Sequence, residues 1–410
     1  MILGLALIVS ACASDGLFGR SEVASNDLPP PERPADMTDE VLRLVVNIEA
    51  FWTQAAPDVS HEYEPVRLDR IISRSALEAG RGERRCTFLG DAEQLDPDDV
   101  VENAYVTFCD EGLTVVYDDI DYVPSLERRY GPAGTAMLMA HEWGHILQDQ
   151  LGLFNQSSLI AEQQADCWSG AYAAWAESEG VAPFDDATAL DQAIISTLDA
   201  RDEIGVTPDD GESHGNGFDR VRATQEGYDR GVAFCAGYDD TPPPITQIGF
   251  LSSIDARSQG NLPYADAVDL LGTEVTDYFE SLTDESLEEF VVEPTDAELR
   301  DLYDAIGDNA VGTAYALRYA EALQAAEGES VDDEGAALQR ACLVGSWLEA
   351  VIENGVDDGG GQLSPFDLDE SILTLATSEE LLDNPGLVFE MVAALRVGTL
   401  DGRDACALAG

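Results

Sequence analysis

Two of the chain's four histidines, His141 and His145, stand four residues apart, with Glu142 directly after the first. This spacing constrains the fold more than any other feature. On an α-helix, positions i and i+4 share one face about one turn apart. Two ring nitrogens held that way can take one metal ion, and Zn²⁺ suits such a pair. Glu142 points about 100° round the helix, so it misses the ion but reaches a water beside it. Zinc brings the pKa of such a water towards about 7, and a neighbouring carboxylate can take its proton and deliver it to a leaving amine. In a chain this poor in histidine, the chance expectation for the pattern is on the order of 0.01 or less. The preceding Ala136–Ala140 is apolar, as a buried helix requires.

A catalytic zinc site needs a third protein ligand. Glu162 follows His145 by 17 positions, on the next predicted helix, and Asp166 lies one turn further along the same face. Glu162 is the expected third ligand. Asp166 is the expected acceptor for the other ring N–H of a ligand histidine. Leu153–Ser158 is short enough to return the chain antiparallel. His214 stands in Ser213-His214-Gly215, within a glycine- and aspartate-rich loop over Pro208–Asn216. There it is expected to hydrogen-bond the oxyanion of a tetrahedral transition state. His61 receives no role.

Hydrophobic periodicity places these residues in a larger order. Thr38 is the expected N-cap of a helix over Glu40–Trp52, with Leu42, Val45, Ile48 and Phe51/Trp52 on its core face. Residues 60–100 are less regular, with a turn at Gly80-Arg81-Gly82. Val101–Cys109 and Leu113–Tyr117 read as two strands. A long helix is expected over Gly134–Leu151, a second from Ser157 through Glu162–Ala174, and a third, with its exit, over Arg220–Cys235. Pro242-Pro243-Pro244 is the expected boundary. Beyond it the pattern is helical, clearest at Leu299–Leu323 and Ala336–Ile352, with Gly359-Gly360-Gly361 as punctuation. No fixed-period repeat is visible.

The charge balance bears on partners. The chain carries 21 Lys+Arg, every one an arginine, against 81 Asp+Glu, a formal net charge of -60. Such a field repels phosphate backbones, so no nucleic-acid partner is expected. Solvation in a salty medium and a coding bias towards Asp, Glu and Arg both account for the acidity, and no EF-hand loop is present. Seven cysteines occur. Six of them suit three disulfides in an oxidising compartment, and pairing neighbours gives Cys86–Cys109, Cys167–Cys235 and Cys342–Cys406. The seventh, Cys12, ends Val9-Ser10-Ala11-Cys12 after the apolar stretch from Met1, which resembles a bacterial lipobox although no basic residue precedes it. That resemblance implies a lipid anchor at Cys12 on an extracytoplasmic protein; an ordinary secretory signal is the alternative. Residues 13–37, with Pro29-Pro30-Pro31, read as an extended linker.

His141-Glu142-Trp143-Gly144-His145, Gln148 and Glu162-Gln163-Gln164-Ala165-Asp166-Cys167 together resemble the bacterial neutral zinc metallopeptidases, which look like gluzincins in ligand set. Phe108-Cys109 to Tyr117, His214-Gly215, Arg220, Gly227 and Cys235 extend the likeness, and Ile48–Gln54 adds to it weakly. Gln163 stands where the family usually has Leu. The resemblance implies an α+β, zincin-like domain over residues 38–240, with a small sheet packed on the active-site helix; the helical pattern makes residues 245–410 a mostly helical domain with no motif of its own. It supports His141, His145 and Glu162 as zinc ligands and Glu142 as base. The leading expectation is a zinc endopeptidase acting on protein or peptide substrates, with a cleft beside Leu113–Tyr117 where a substrate adds as an extra strand. The alternatives are a non-catalytic zinc-containing envelope lipoprotein that binds or assembles partners, and an extracellular metal scavenger.

Overall fold

Thr38 starts the first helix, its side chain accepting from the Val41 N–H at 3.2 Å. The helix, α1 (Asp39–Ala55), buries Val41, Val45, Ile48 and Trp52 on one face. The computed structural model describes residues 37–406 except 60–61, 82–83, 89–90, 111, 154–156, 209–212, 247–248, 251, 254, 356–362 and 378–385. The lipobox at Cys12, the linker, His61 and Gly359-Gly360-Gly361 lie outside the described residues.

After α1 come β1 (Ile71–Ser73), α2 (Arg74–Glu78), β2 (Arg85–Phe88), β3 (Asp91–Gln94), β4 (Ala104–Cys109) and β5 (Gly112–Tyr117). The stretch read as irregular thus supplies three short strands. They form one sheet in the order β1-β5-β4-β2-β3. β1 runs parallel to β5, and the other pairs are antiparallel. Alternation sorts the β5 side chains. Val115 and Tyr117 join the main core, while Val116 faces Ile72, Leu77 and the Cys86–Cys109 disulfide on the other side.

The helical body follows as α3 (Tyr122–Tyr130), α4 (Pro132–Leu151), α5 (Ser158–Ser178), α6 (Ala189–Asp199), α7 (Gly217–Arg230) and α8 (Val232–Ala236). Ser157 caps α5, at the helix start expected there. The helix α6 was not anticipated from the sequence. Next are α9 (Asp255–Ser258), α10 (Tyr264–Ser281), α11 (Asp296–Ala305), α12 (Asp308–Glu327), α13 (Glu334–Gly355), α14 (Asp367–Ala376) and α15 (Leu387–Asp401). The expected single element Leu299–Leu323 is two helices. Gly307, at φ 154°, breaks it, a conformation that side chains oppose. The sheet is confined to the N-terminal part, so the chain is α+β with a helical C-terminal region. No described helix is long and apolar enough to cross a membrane.

One core gathers α1, the inner face of the sheet, α4 and α5. A second joins Ile194, Leu198, Phe218 and Val221 of α6 and α7 to α10 and α12–α15, so helices from both sides of Pro242-Pro243-Pro244 share it. All three neighbour pairings of cysteine form disulfides. Cys167–Cys235 ties α5 to α8, and Cys342–Cys406 ties α13 to the turn after α15.

Helices α5 and α7 approach so closely that a Cβ on Gly170 would strike the Thr224 carbonyl oxygen, and one on Gly227 the Cys167 carbonyl oxygen. Helix propensity alone favours alanine over glycine by about 1 kcal/mol. Overpacking against main chain costs about 1–3 kcal/mol or more. Gly227→Ala is therefore expected to lower stability in denaturant unfolding. A more stable variant would show that the contact is not tight.

Candidate metal centre

The helix α4 brings His141 and His145 onto one face, and α5 runs back across it. Gly144 sets the separation, because a Cβ there would lie 2.8 Å from the Ala165 Cα. Trp143, fully buried, donates from Nε1 to Glu49 Oε1 at 2.9 Å and fixes α4 on α1. Glu162 then faces both histidines. Its Oε2 lies 3.0 Å from His141 Nε2, its Oε1 lies 3.3 Å from His145 Nε2, and the two Nε2 atoms are 3.1 Å apart. These side chains form a group able to hold a metal ion.

Each histidine is oriented from behind. His141 Nδ1 donates to Asp166 Oδ1 at 2.8 Å. Arg220 grips the same carboxylate twice, Nε to Oδ2 at 2.8 Å and Nη2 to Oδ1 at 2.9 Å, and its Nη1 donates to the Ala200 carbonyl. His145 Nδ1 lies 2.9 Å from Gln148 Oε1. The Gln148 amide donates to the Ala161 carbonyl and to Gln164 Oε1, so its oxygen is the acceptor for the imidazole. Both rings therefore carry their proton on Nδ1 and present Nε2 lone pairs to the shared point. Two such lone pairs 3.1 Å apart require a cation between them, a metal or a proton. Without metal, a proton serves. Burial opposes charge on His141, but Asp166 and Glu162 outweigh it and push its pKa up to about 10. Burial raises the Glu162 carboxyl, yet the two histidines hold it well below the usual range.

Glu142, the predicted base, is buried beside the pair, and burial raises its pKa against the pull of His141 and His145. Its Oε2 has no hydrogen-bond partner among the described residues. His214 also reaches the cleft, with its side chain 52% exposed. Its Nδ1 lies 3.3 Å from Asp202 Oδ1, and the same carboxylate accepts from Ser213 Oγ, His214 N and Gly215 N. Burial disfavours the Asp202 charge, but these donors hold its pKa down to about 2. Asp202 has no motif to announce it. Tyr122 lines the cleft within electrostatic reach of Arg220 and Glu142 and is also silent in the sequence.

The cleft has a volume of about 800 Å³. Of the strand expected to wall it, Leu113 alone lines the cleft. β5 is interior, paired with β4 on one side and β1 on the other. The wall is Asn103–Val106 at the start of β4 with Leu113 behind. β2 is registered with β4 at Cys86↔Cys109, the far end of that strand from the cleft. Comparison with family models, with curated proteins and with solved structures returns no match for this chain.

The linked proton gives a sign. A raised His141 pKa means that a metal ion must displace a proton at any pH below about 10, so affinity rises with pH. Calorimetry in buffers of different ionisation enthalpy should find about one proton released per ion near pH 7.5. Asp166→Asn should weaken metal binding about 10–100-fold. Unchanged affinity in that variant would remove Asp166 from the assembly.

Proposed function

We propose that this chain is a zinc-dependent endopeptidase of the zincin type, akin to the bacterial neutral zinc metallopeptidases that its central motif resembles. Glu142 carries the proposal. Its carboxylate sits beside both histidines with one oxygen lacking any donor among the described residues. An unpaired buried carboxylate costs several kcal/mol. A site that only stores a metal gains nothing from it, whereas hydrolysis needs a base there.

Zinc fits the donors. Tetrahedral Zn²⁺ with bonds of about 2.0–2.1 Å sets its ligand atoms about 3.3 Å apart. The donor atoms of His141, His145 and Glu162 are separated by 3.0, 3.1 and 3.3 Å. When bound, the ion supplies Lewis-acid polarisation of the scissile carbonyl and of the attacking water. Glu142 takes a proton from that water as its oxygen adds to the carbonyl carbon. It returns the proton to the amide nitrogen as the C–N bond breaks. His214, held by Asp202 at the cleft, is placed to hydrogen-bond the carbonyl oxygen as charge builds there.

An extended peptide is the substrate form that suits the cleft, because the β4 segment Ala104–Val106 lines it along its length. The acidic surface favours cationic peptides, an attraction that salt screens beyond about 8–10 Å. The three disulfides support an extracytoplasmic location, where the Cys12 lipobox would hold the protein at a membrane.

The test is elemental analysis joined to hydrolysis of casein and a fluorogenic peptide library. The expected result is about one zinc per chain, with turnover in Glu142→Gln reduced by at least about 10²-fold while zinc is retained. Zinc without hydrolysis in either protein would favour a binding role. Absence of zinc binding would remove the basis of the proposal.

A further inference from the structure

The C-terminal helices carry none of the chemistry above, yet they repeat its scaffold. Helices α4 and α12 each have 20 residues. Each starts after a positive-φ glycine, Gly131 or Gly307, and ends on a left-handed one, Gly152 or Gly328. Four residues before that end, Gln148 and Gln324 make the same pair of bonds. Gln148 donates to the Ala161 carbonyl and Gln164 Oε1, and Gln324 to the Ala336 carbonyl and Gln339 Oε1.

The following helices match as well. α5 holds Cys167-x-x-Gly170, and α13 holds Cys342-x-x-Gly345. α7 and α15 each carry a glycine, Gly227 or Gly398, whose added Cβ would strike the carbonyl of the matching cysteine, Cys167 or Cys342. Four residues on, Gly231 and Gly402 end those helices, and four further stand the disulfide partners Cys235 and Cys406. In α6 and α14, Leu190-Asp191 matches Leu368-Asp369 at the same helical positions. The packing order is shared too: α4 on α5 and α6, α5 on α7; α12 on α13 and α14, α13 on α15. Matching residues lie between 171 positions apart (Gly227 to Gly398) and 178 apart (Asp191 to Asp369). Connections of unequal length produce that drift, which is why no fixed period was visible.

The metal-holding residues are gone from the second unit as a set. In this register, Leu317 stands for His141, Glu321 for His145, Ala337 for Glu162, Ala341 for Asp166 and Met391 for Arg220. A reciprocal contact between the units remains. Asp191 of α6 accepts from Gly386 N at 2.7 Å and Phe389 N at 2.9 Å, capping α15. Asp369 of α14 accepts from Gly217 N at 2.9 Å and Phe218 N at 2.7 Å, capping α7. The same residue of each unit serves the same helix of the other, the pattern of a two-fold interface.

We infer that residues 307–406 are a second copy of the unit 131–236, stripped of its metal ligands, and that its Asp369 is a positioning residue for the His214 loop. The exchanged caps are symmetric, but their consequences are not. Gly217 directly follows Ser213–Asn216, so Asp369 holds one end of that loop. Arg201 Nε lies 3.5 Å from the same carboxylate, with its guanidinium 5.1 Å over the Phe366 ring. Arg201 precedes Asp202, whose carboxylate gathers Ser213, His214 and Gly215. Both segments that hold His214 are thus fastened to one side chain of the second unit. Asp191 makes the equivalent contact on α15, which among the described residues contributes to neither metal-capable group.

That asymmetry supplies the control, and the effect on turnover rests on the peptidase reading. Full-length, zinc-loaded Asp369→Asn and Asp191→Asn should be compared by amide hydrogen exchange and by peptide hydrolysis. Asp369→Asn should exchange faster at residues 201–202 and 213–218, lose kcat about tenfold or more with a smaller change in KM, and keep its zinc. Asp191→Asn should exchange faster only at 386–389, with kcat and KM within twofold of the parent. If Asp369→Asn folds poorly, Asp369→Ser, which keeps one acceptor for the helix N-terminus, carries the same expectation. Equal kinetic losses in both variants, or unchanged exchange at 213–218 in the Asp369 variant, would overturn the inference. A parent protein that hydrolyses nothing would sink the peptidase reading instead, while the exchange pattern still decides whether Asp369 holds the loop.

Discussion

The contact on which the site depends is the approach of α4 and α5 at Gly144 and Ala165. A metal ion's ligands must converge within a few tenths of an ångström, and two helices with ordinary side chains between them sit about 8–10 Å apart. Removing the Cβ at Gly144 lets the Ala165 main chain come close. Three residues before Ala165, Glu162 then meets His141 and His145. One turn further along α4 from Gly144, Gln148 spans the same gap to Ala161 and Gln164. The Cys167–Cys235 disulfide and the glycine contacts of α5 with α7 close the other side of α5. The three donors are therefore held by main-chain packing rather than by side-chain reach.

Charge explains why the set behaves as a unit. Arg220, Asp166, His141 and Glu162 form a continuous buried chain, and removing one member of such a chain leaves an uncompensated charge behind. Without a metal, the carboxylates of Asp166 and Glu162 favour a protonated His141. A cation held by His141, His145 and Glu162 would add its charge where these carboxylates already lie. The second unit follows the same logic in reverse. Ala341 and Met391 replace the Asp166–Arg220 pair together, because either member alone would be a buried unpaired ion.

Much of this was legible in the sequence because it is periodic or local. The i, i+4 histidines, Glu162 one helix on, the cap Thr38 and the helix start near Ser157 depend on spacing within one or two elements. The neighbour pairing of cysteines was read from chain order alone, although Cys167–Cys235 and Cys342–Cys406 span 68 and 64 positions. What escaped depends on distant segments meeting. Asp202 and His214 are joined across a loop, and Tyr122 reaches the cleft from α3. The strand bordering the cleft was read only in part, Leu113 lining it while β4 lines more of it, because sheet order is not written in strand order. β1, far upstream in sequence, takes the free side of β5 and leaves β4 facing the cleft. Gly307 broke a helix that periodicity alone had joined.

The repeat was hidden for a related reason. Its two copies share glycines, cysteines, two glutamines and one aspartate, and little of the apolar pattern between them. Those shared residues are the ones that geometry does not release: positive-φ glycines, glycines under a carbonyl, disulfides, and carboxylates that cap a helix of the other unit. Core positions exchange volume among themselves and drift, since apolar residues of similar size substitute at small cost. A buried helix N-terminus cannot drift in that way, because its N–H groups need an acceptor. Each unit supplies that acceptor to the other. The second unit could lose its metal chemistry and still be kept by the need of α7, and of the loop before α7, for the carboxylate of Asp369.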